Sequence, residues 1–168
     1  MRNIHATGVI LGDRGVLLTG PSGSGKTTLA LELLARTGAQ GGFARLVCDD
    51  QVLVEARAGR LLARAAPAIA GLVEIVGLGP SPVAAEPAMA ADLVVRLVPP
   101  GEAPRLEAGE VASIEGVVLP QIDLPQRRAG PAASAVFAWL VRRSRAGRGE
   151  MTTARSDLGL SMRSGSTR

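Results

Sequence analysis

Val16-Leu17-Leu18-Thr19-Gly20-Pro21-Ser22-Gly23-Ser24-Gly25-Lys26-Thr27-Thr28 carries a short apolar run straight into a glycine-rich loop that ends in Lys-Thr. An apolar run of this length predicts a buried strand. Gly20 to Thr27 fits the spacing G-x-x-x-x-G-K-[ST] without a gap. Glycines at these positions let successive backbone N–H groups point at phosphate oxygens. The helix expected next aims the positive end of its dipole at the same place. Lys26 supplies a mobile cation for β- and γ-phosphates, and the Thr27 hydroxyl is placed to coordinate Mg²⁺. A glycine turn with a purely structural job requires neither the Lys-Thr pair nor the apolar run before it. The expected nucleotide contacts are therefore Gly20 through Thr28.

Working outward, Leu29, Leu33 and Leu34 share one face of a helix predicted over Thr28 to Arg36 and ending near Gly38. Upstream, His5 to Leu11 reads as a strand, followed by a turn at Gly12 to Gly15. Downstream, Leu46-Val47-Cys48 reads as a second buried strand that stops at Asp49-Asp50. Val52 to Glu55 and Arg60 to Arg64, joined through Ala58-Gly59, predict a hairpin. Leu72 to Val76, Asp92 to Val98 and Gly116 to Leu124 follow as strands, with a Pro/Ala loop after Gly79. Pro120 marks an edge or a bulge. Ala132 to Arg145 predicts a second helix. The expected fold is α/β: a P-loop kinase-like domain over residues 1–146, with a mixed, strand-rich sheet and few helices. Residues 147–168 are expected to be a basic, disordered tail.

Composition narrows the partners. A chain of 168 residues with 46% hydrophobic and 20% charged residues can build a globular core, and with 2% aromatics that core must be aliphatic. Lys26 is the only lysine among many arginines. The net charge of +4 is concentrated between Arg142 and Arg168, where seven arginines face only Glu150 and Asp157. That stretch is rich in Ser, Gly and Thr and has no stacking aromatics, so it reads as a solvated tail and not as a nucleic-acid surface. The single Cys48 excludes an internal disulfide, and the single His5 excludes a His-rich metal site. No signal pattern and no apolar run of about 18 residues is present. The expectation is a cytoplasmic protein with neither membrane nor nucleic acid as partner.

Asp49-Asp50 closes a buried strand expected beside the one that feeds the loop, which puts both carboxylates at the ligand crevice of an α/β sheet. One could hold Mg²⁺ and the other could take the proton from an attacking hydroxyl. His5 and Glu74, taken alone, say little.

Together these pieces resemble the catalytic C-terminal domain of bacterial HPr kinase/phosphorylase, in its short form similar to those of alphaproteobacteria. The likeness rests on His5-Ala-Thr-Gly-Val, Gly15 to Thr27, Leu46-Val-Cys-Asp-Asp-Gln-Val, Gly71-Leu-Val-Glu-Ile-Val-Gly-Leu-Gly and Ile114 to Pro125. It covers about residues 3 to 145. The resemblance implies an ATP- and Mg²⁺-dependent protein-serine kinase acting on a small HPr-like phosphocarrier of the phosphotransferase system. It also implies a phosphorolytic reverse reaction and a homo-oligomer. By match to the family's motifs, Asp49 activates the carrier's serine with help from His5, and Lys26 serves catalysis. Asp50, Glu74 and Thr27 hold the metal. The chain departs from the family in three places: no large domain precedes Gly20, Val76 stands where many members have arginine, and the stretch after Gly79 is short. The segment missing there is tied in the family to phosphorolysis and hexamer contacts, so the resemblance leaves those two open. A small-metabolite P-loop kinase, with Arg127-Arg128 as its lid, and a non-catalytic nucleotide-binding regulatory module are the competing readings.

Overall fold

The computed structural model describes residues 1–107 and 109–156, with side chains described except at 68 and 145–156. β1 (Arg2–Ile4), β2 (Ala6–Leu11) and β3 (Arg14–Thr19) precede α1 (Lys26–Ala39). β4 (Ala44–Cys48), β5 (Val52–Arg57) and β6 (Arg60–Ala65) follow, then a short 3₁₀ turn at Pro67–Ile69. β7 (Leu72–Ile75) and β8 (Gly79–Pro82) pair only with each other. The chain continues through β9 (Ala88–Val98), β10 (Val111–Ile114), β11 (Val117–Pro125) and α2 (Ala129–Ser156).

Nine strands form one mixed sheet, ordered β1-β5-β6-β9-β3-β2-β4, with β11 on β9 and β10 on β11. β9 is parallel to β3 and to β11, and every other pairing in the sheet is antiparallel. The eleven-residue β9 serves two neighbours on one side. Ala88 to Ala91 pairs with β6, and Val94 to Val98 pairs with β11. β11 is divided as well. Its residues up to Pro120 pair with β10 and those from Gln121 with β9, so the proline, which has no N–H, falls at the handover.

Two hairpin turns owe their geometry to positive φ at both central residues, as a two-residue connection of twisted strands requires. These are Ala58-Gly59 (φ 49° and 75°) and Glu115-Gly116 (φ 50° and 77°). The sheet curls so that β4 meets β6. Its interior is aliphatic, with Leu17, Val47, Val54, Leu61 and Val94 buried together. Leu29, Ala30 and Leu33 of α1 are fully buried and Leu34 is half-buried. α1 lies against β2, β3 and β4. The outer edge of β4 is partly covered, because Leu46 N–H donates to Ala84 O and Glu86 N–H donates to Leu46 O.

Residues Met1–Ala133 form one compact unit, and a second begins at Ser134 within α2. α2 starts earlier and ends later than the sequence suggests, with Pro131 in its first turn, where a missing N–H costs nothing. Residues 147–156 of the expected disordered tail are therefore helical, while 157–168 lie outside the described residues. The strand order also corrects one expectation. β4 does not adjoin β3, because β2 lies between them, antiparallel to both. β3 and β4 consequently run the same way, and their C-terminal ends reach the same edge of the sheet.

Candidate functional site

That shared edge carries the glycine loop after β3 and the two aspartates after β4. Gly20, Gly23 and Gly25 adopt φ of 143°, 71° and 97°, the left-handed side that a side chain rarely tolerates. A Cβ on Gly20 would in addition stand 2.8 Å from Leu97 O. Gly25 occupies the N-cap of α1, where no side chain caps the helix and no acidic residue sits in the first turn. The positive end of α1 is thus left to a ligand anion.

Lys26 is buried inside its own loop. Its ammonium donates to Gly20 O (3.3 Å) and Pro21 O (3.2 Å) and approaches His5 Nε2 at 2.9 Å. An ammonium has no lone pair, so Nε2 must accept. The ring proton then resides on Nδ1, which donates to Asp50 O at 2.9 Å. One hydrogen-bonded chain therefore runs from Lys26 through His5 to the Asp50 backbone. Burial pulls the Lys26 ammonium below the ordinary lysine range, opposed by the carboxylates of Asp50 and then Asp49.

The two aspartates have opposite surroundings. Asp49 is 5% exposed, and its carboxylate accepts from Thr7 (2.7 Å) and from Thr27 (3.0 and 3.1 Å to its two oxygens). Thr27 donates its hydroxyl hydrogen to Asp49 in that bond, so its oxygen lone pairs remain for a cation. Asp50 is exposed and holds φ 61°, a left-handed conformation that aspartate tolerates better than most residues. Its carboxylate lies 3.9 Å from His5 Nδ1.

A cleft of about 570 Å³ gathers the loop residues Ser22, Gly23, Gly25, Lys26, Thr27 and Thr28. Asp50, Glu74 and the tip of the β7–β8 hairpin line it as well. That volume suits a small ligand. Asp49 does not line the cleft; it stands behind Thr27. Among the described residues no three His, Cys, Asp or Glu side chains converge as a metal cluster. The oxygen set of Thr27 and nearby carboxylates still fits a hard cation that keeps water and phosphate among its ligands. The Ser24 hydroxyl is buried with no hydrogen-bond partner among the described residues, so the protein alone leaves one polar atom of the loop unmet.

Thr7 lies within the His5-Ala-Thr-Gly-Val stretch, yet the sequence reading gives it no role. It reads there as a threonine in an apolar strand, two residues after His5.

The family model described as the HPr Serine kinase C-terminal domain matches residues 1–136. The chain belongs to that family. HPr kinase/phosphorylase of Limosilactobacillus reuteri is 36% identical over 136 residues, which cover 74% of this chain and 41% of the relative. The Clostridium beijerinckii protein of the same name is 40% identical over 76 residues, covering 45% of this chain and 23% of the relative. The chain thus spans less than half the length of the curated relatives it matches. Among solved structures, the Hpr(Ser) kinase/phosphatase of Coxiella burnetii superposes with a TM-score of 0.74 at 23% identity, covering 95% of this chain and all of that one. At that identity the likeness speaks for the fold, and it agrees with the strand-rich α/β architecture predicted from the loop. No helix of the described residues is long and apolar enough to cross a membrane.

Proposed function

We propose that this domain is an ATP- and Mg²⁺-dependent protein-serine kinase acting on a small HPr-like phosphocarrier protein. The single observation that carries the reading is the convergence, in one cleft, of a glycine loop with a buried lysine and the exposed Asp50 carboxylate beside His5. Membership of the family supplies the substrate class. Bound nucleotide supplies the phosphoryl group, and a divalent cation neutralises its charge.

The chain's own residues then divide the work. Backbone N–H groups of the loop and the first turn of α1 receive phosphate oxygens. Lys26 leaves the Gly20 and Pro21 carbonyls to neutralise charge there. The Thr27 oxygen, with its O–H donating to Asp49, would offer a lone pair to the cation. Asp50 stands at the open side and takes the proton of the carrier's serine, while His5 positions it through the Asp50 backbone. The serine O–P bond forms as the bond to the leaving diphosphate breaks. Glu74, which lines the same cleft, would aid the cation.

This division exchanges the two aspartates relative to the family motif, which gives proton transfer to Asp49 and metal to Asp50. The reason is access. A carboxylate that is 5% exposed and already accepts from two threonines has no open face toward an incoming serine. The phosphorolytic direction uses the same groups in reverse, with Asp50 as acid.

The test is transfer of label from γ-labelled ATP to a purified HPr-type carrier and to its Ser→Ala variant. Label on the serine is expected, and Lys26→Ala should abolish it. Asp50→Asn should lower turnover about 100-fold with nucleotide affinity retained, the scale of a lost general base. Asp49→Asn should instead raise the Mg²⁺ concentration needed. Absence of label on the carrier would reject the kinase reading. Normal turnover by Asp50→Asn would return the proton-transfer role to Asp49.

A further inference from the structure

Between β11 and α2 the chain bends through Gln126-Arg127-Arg128, and Arg127 there adopts φ 58°. A long side chain in the left-handed region is strained, and such strain persists only where surrounding bonds impose it. Two bonds do so, and both end on the phosphate loop. Arg127 N–H donates to Ser24 O at 2.9 Å, and Arg127 Nε donates to Gly23 O at 3.1 Å, across 104 positions of sequence. The contact is close, since a Cβ built on Gly25 would lie 3.5 Å from Arg127 N and 3.6 Å from its Cα. Gln126 N–H donates to Val98 O at 2.9 Å, so the bend is itself pinned to the end of β9.

From these bonds we infer that Arg127 is a positioning residue for the phosphate loop, an inference that rests on the nucleotide-binding reading above. A peptide unit is planar and trans, so its C=O and N–H point in opposite directions. With Ser24 O held by Arg127, the Gly25 N–H must face away from Arg127. The Nε bond fixes the preceding carbonyl in the same sense, so two consecutive peptide planes are clamped. Donors aimed before the ligand arrives incur less ordering cost on binding. The guanidinium does not line the cleft, so its part is to aim the loop and not to touch the reacting groups. It also does not reach outward as a lid over a small metabolite, because its Nε is committed to the loop.

Glutamine places an amide nitrogen at the same bond position as arginine Nε, whereas methionine matches the length and has no donor. The experiment measures displacement of a fluorescent ATP analogue by ATP from the full chain and from Arg127→Gln and Arg127→Met, with melting temperatures recorded beside it. The expected result is about fivefold weaker binding for Arg127→Met, the scale of one net hydrogen bond. Arg127→Gln should stay close to the parent. In turnover, the Met variant should raise KM for ATP and leave kcat unchanged. Arg127→Gly, which relieves the positive φ and also lacks the donor, should bind as weakly as Met; it serves if the Met variant melts early. Parent-like binding by Met and Gly would overturn the inference. So would a Gln variant as weak as Met, which would assign the effect to charge. A parent chain that binds no ATP at all would defeat the nucleotide reading itself and this inference with it.

Discussion

Asp49 is held by two threonine hydroxyls, one from the glycine loop and one from β2. Thr7 is fully buried, and valine has nearly its shape, so Thr7→Val removes a donor while filling the same space. A buried carboxylate deprived of one donor should cost about 1–3 kcal/mol of stability, read from the shift in urea midpoint. Thr7→Ser should restore most of it. Loss of the midpoint shift in Thr7→Val would mean that Thr27 alone suffices. This residue was hard to see in advance, because a threonine in a strand normally signals β-propensity and nothing more. Arg127 was hidden for a different reason: its distinction lies in a backbone angle and in two carbonyls far away in sequence, and neither has a compositional trace. Gly20 to Thr27, by contrast, announces its chemistry outright, because the backbone conformations that hold a phosphate demand glycine at fixed spacing.

At the scale of elements, apolar runs betray β2, β3, β4 and β9, and the Ala58-Gly59 turn betrays the β5–β6 hairpin. β8 escapes such a reading because Gly79-Pro80-Ser81-Pro82 has the composition of a loop. It survives as a strand by pairing only with β7, on one side, where prolines do least harm. β10 escapes because it is four residues long, although Glu115-Gly116 repeats the turn logic of Ala58-Gly59. α2 extends past Arg145 because nothing in Ala146 to Ser156 breaks a helix strongly. Its glycines weaken it, and no proline stops it. The site residues described above all belong to the unit ending at Ala133. Ending the chain after Ala146 should accordingly leave ATP affinity within about twofold of the full chain, since remote terminal segments rarely set a local site. A larger loss would draw the remainder of α2 into the functional domain.

Within Met1–Ala133 one nine-stranded sheet carries the aliphatic interior, so unfolding of that unit should be cooperative. Cys48 offers a way to follow it. Burial, first of all, pushes its thiol up to about 12 from 9.0. Between those values the folded chain keeps the thiol proton that the unfolded chain has lost. Stability from this group is therefore complete below pH 9 and drains away as pH rises toward 12. At pH 8 a thiol reagent should leave the native protein unmodified and react in step with loss of the circular dichroism signal in urea. Labelling well ahead of that signal would show β4 opening on its own. The amine chemistry of the chain is equally singular. Its one lysine is the side chain folded into the phosphate loop, where it is buried. Acylation can therefore reach a single ε-amine, only when the loop opens, and modifying it silences the protein. A mass increment of one acyl group beyond the α-amine would count inactivated molecules directly.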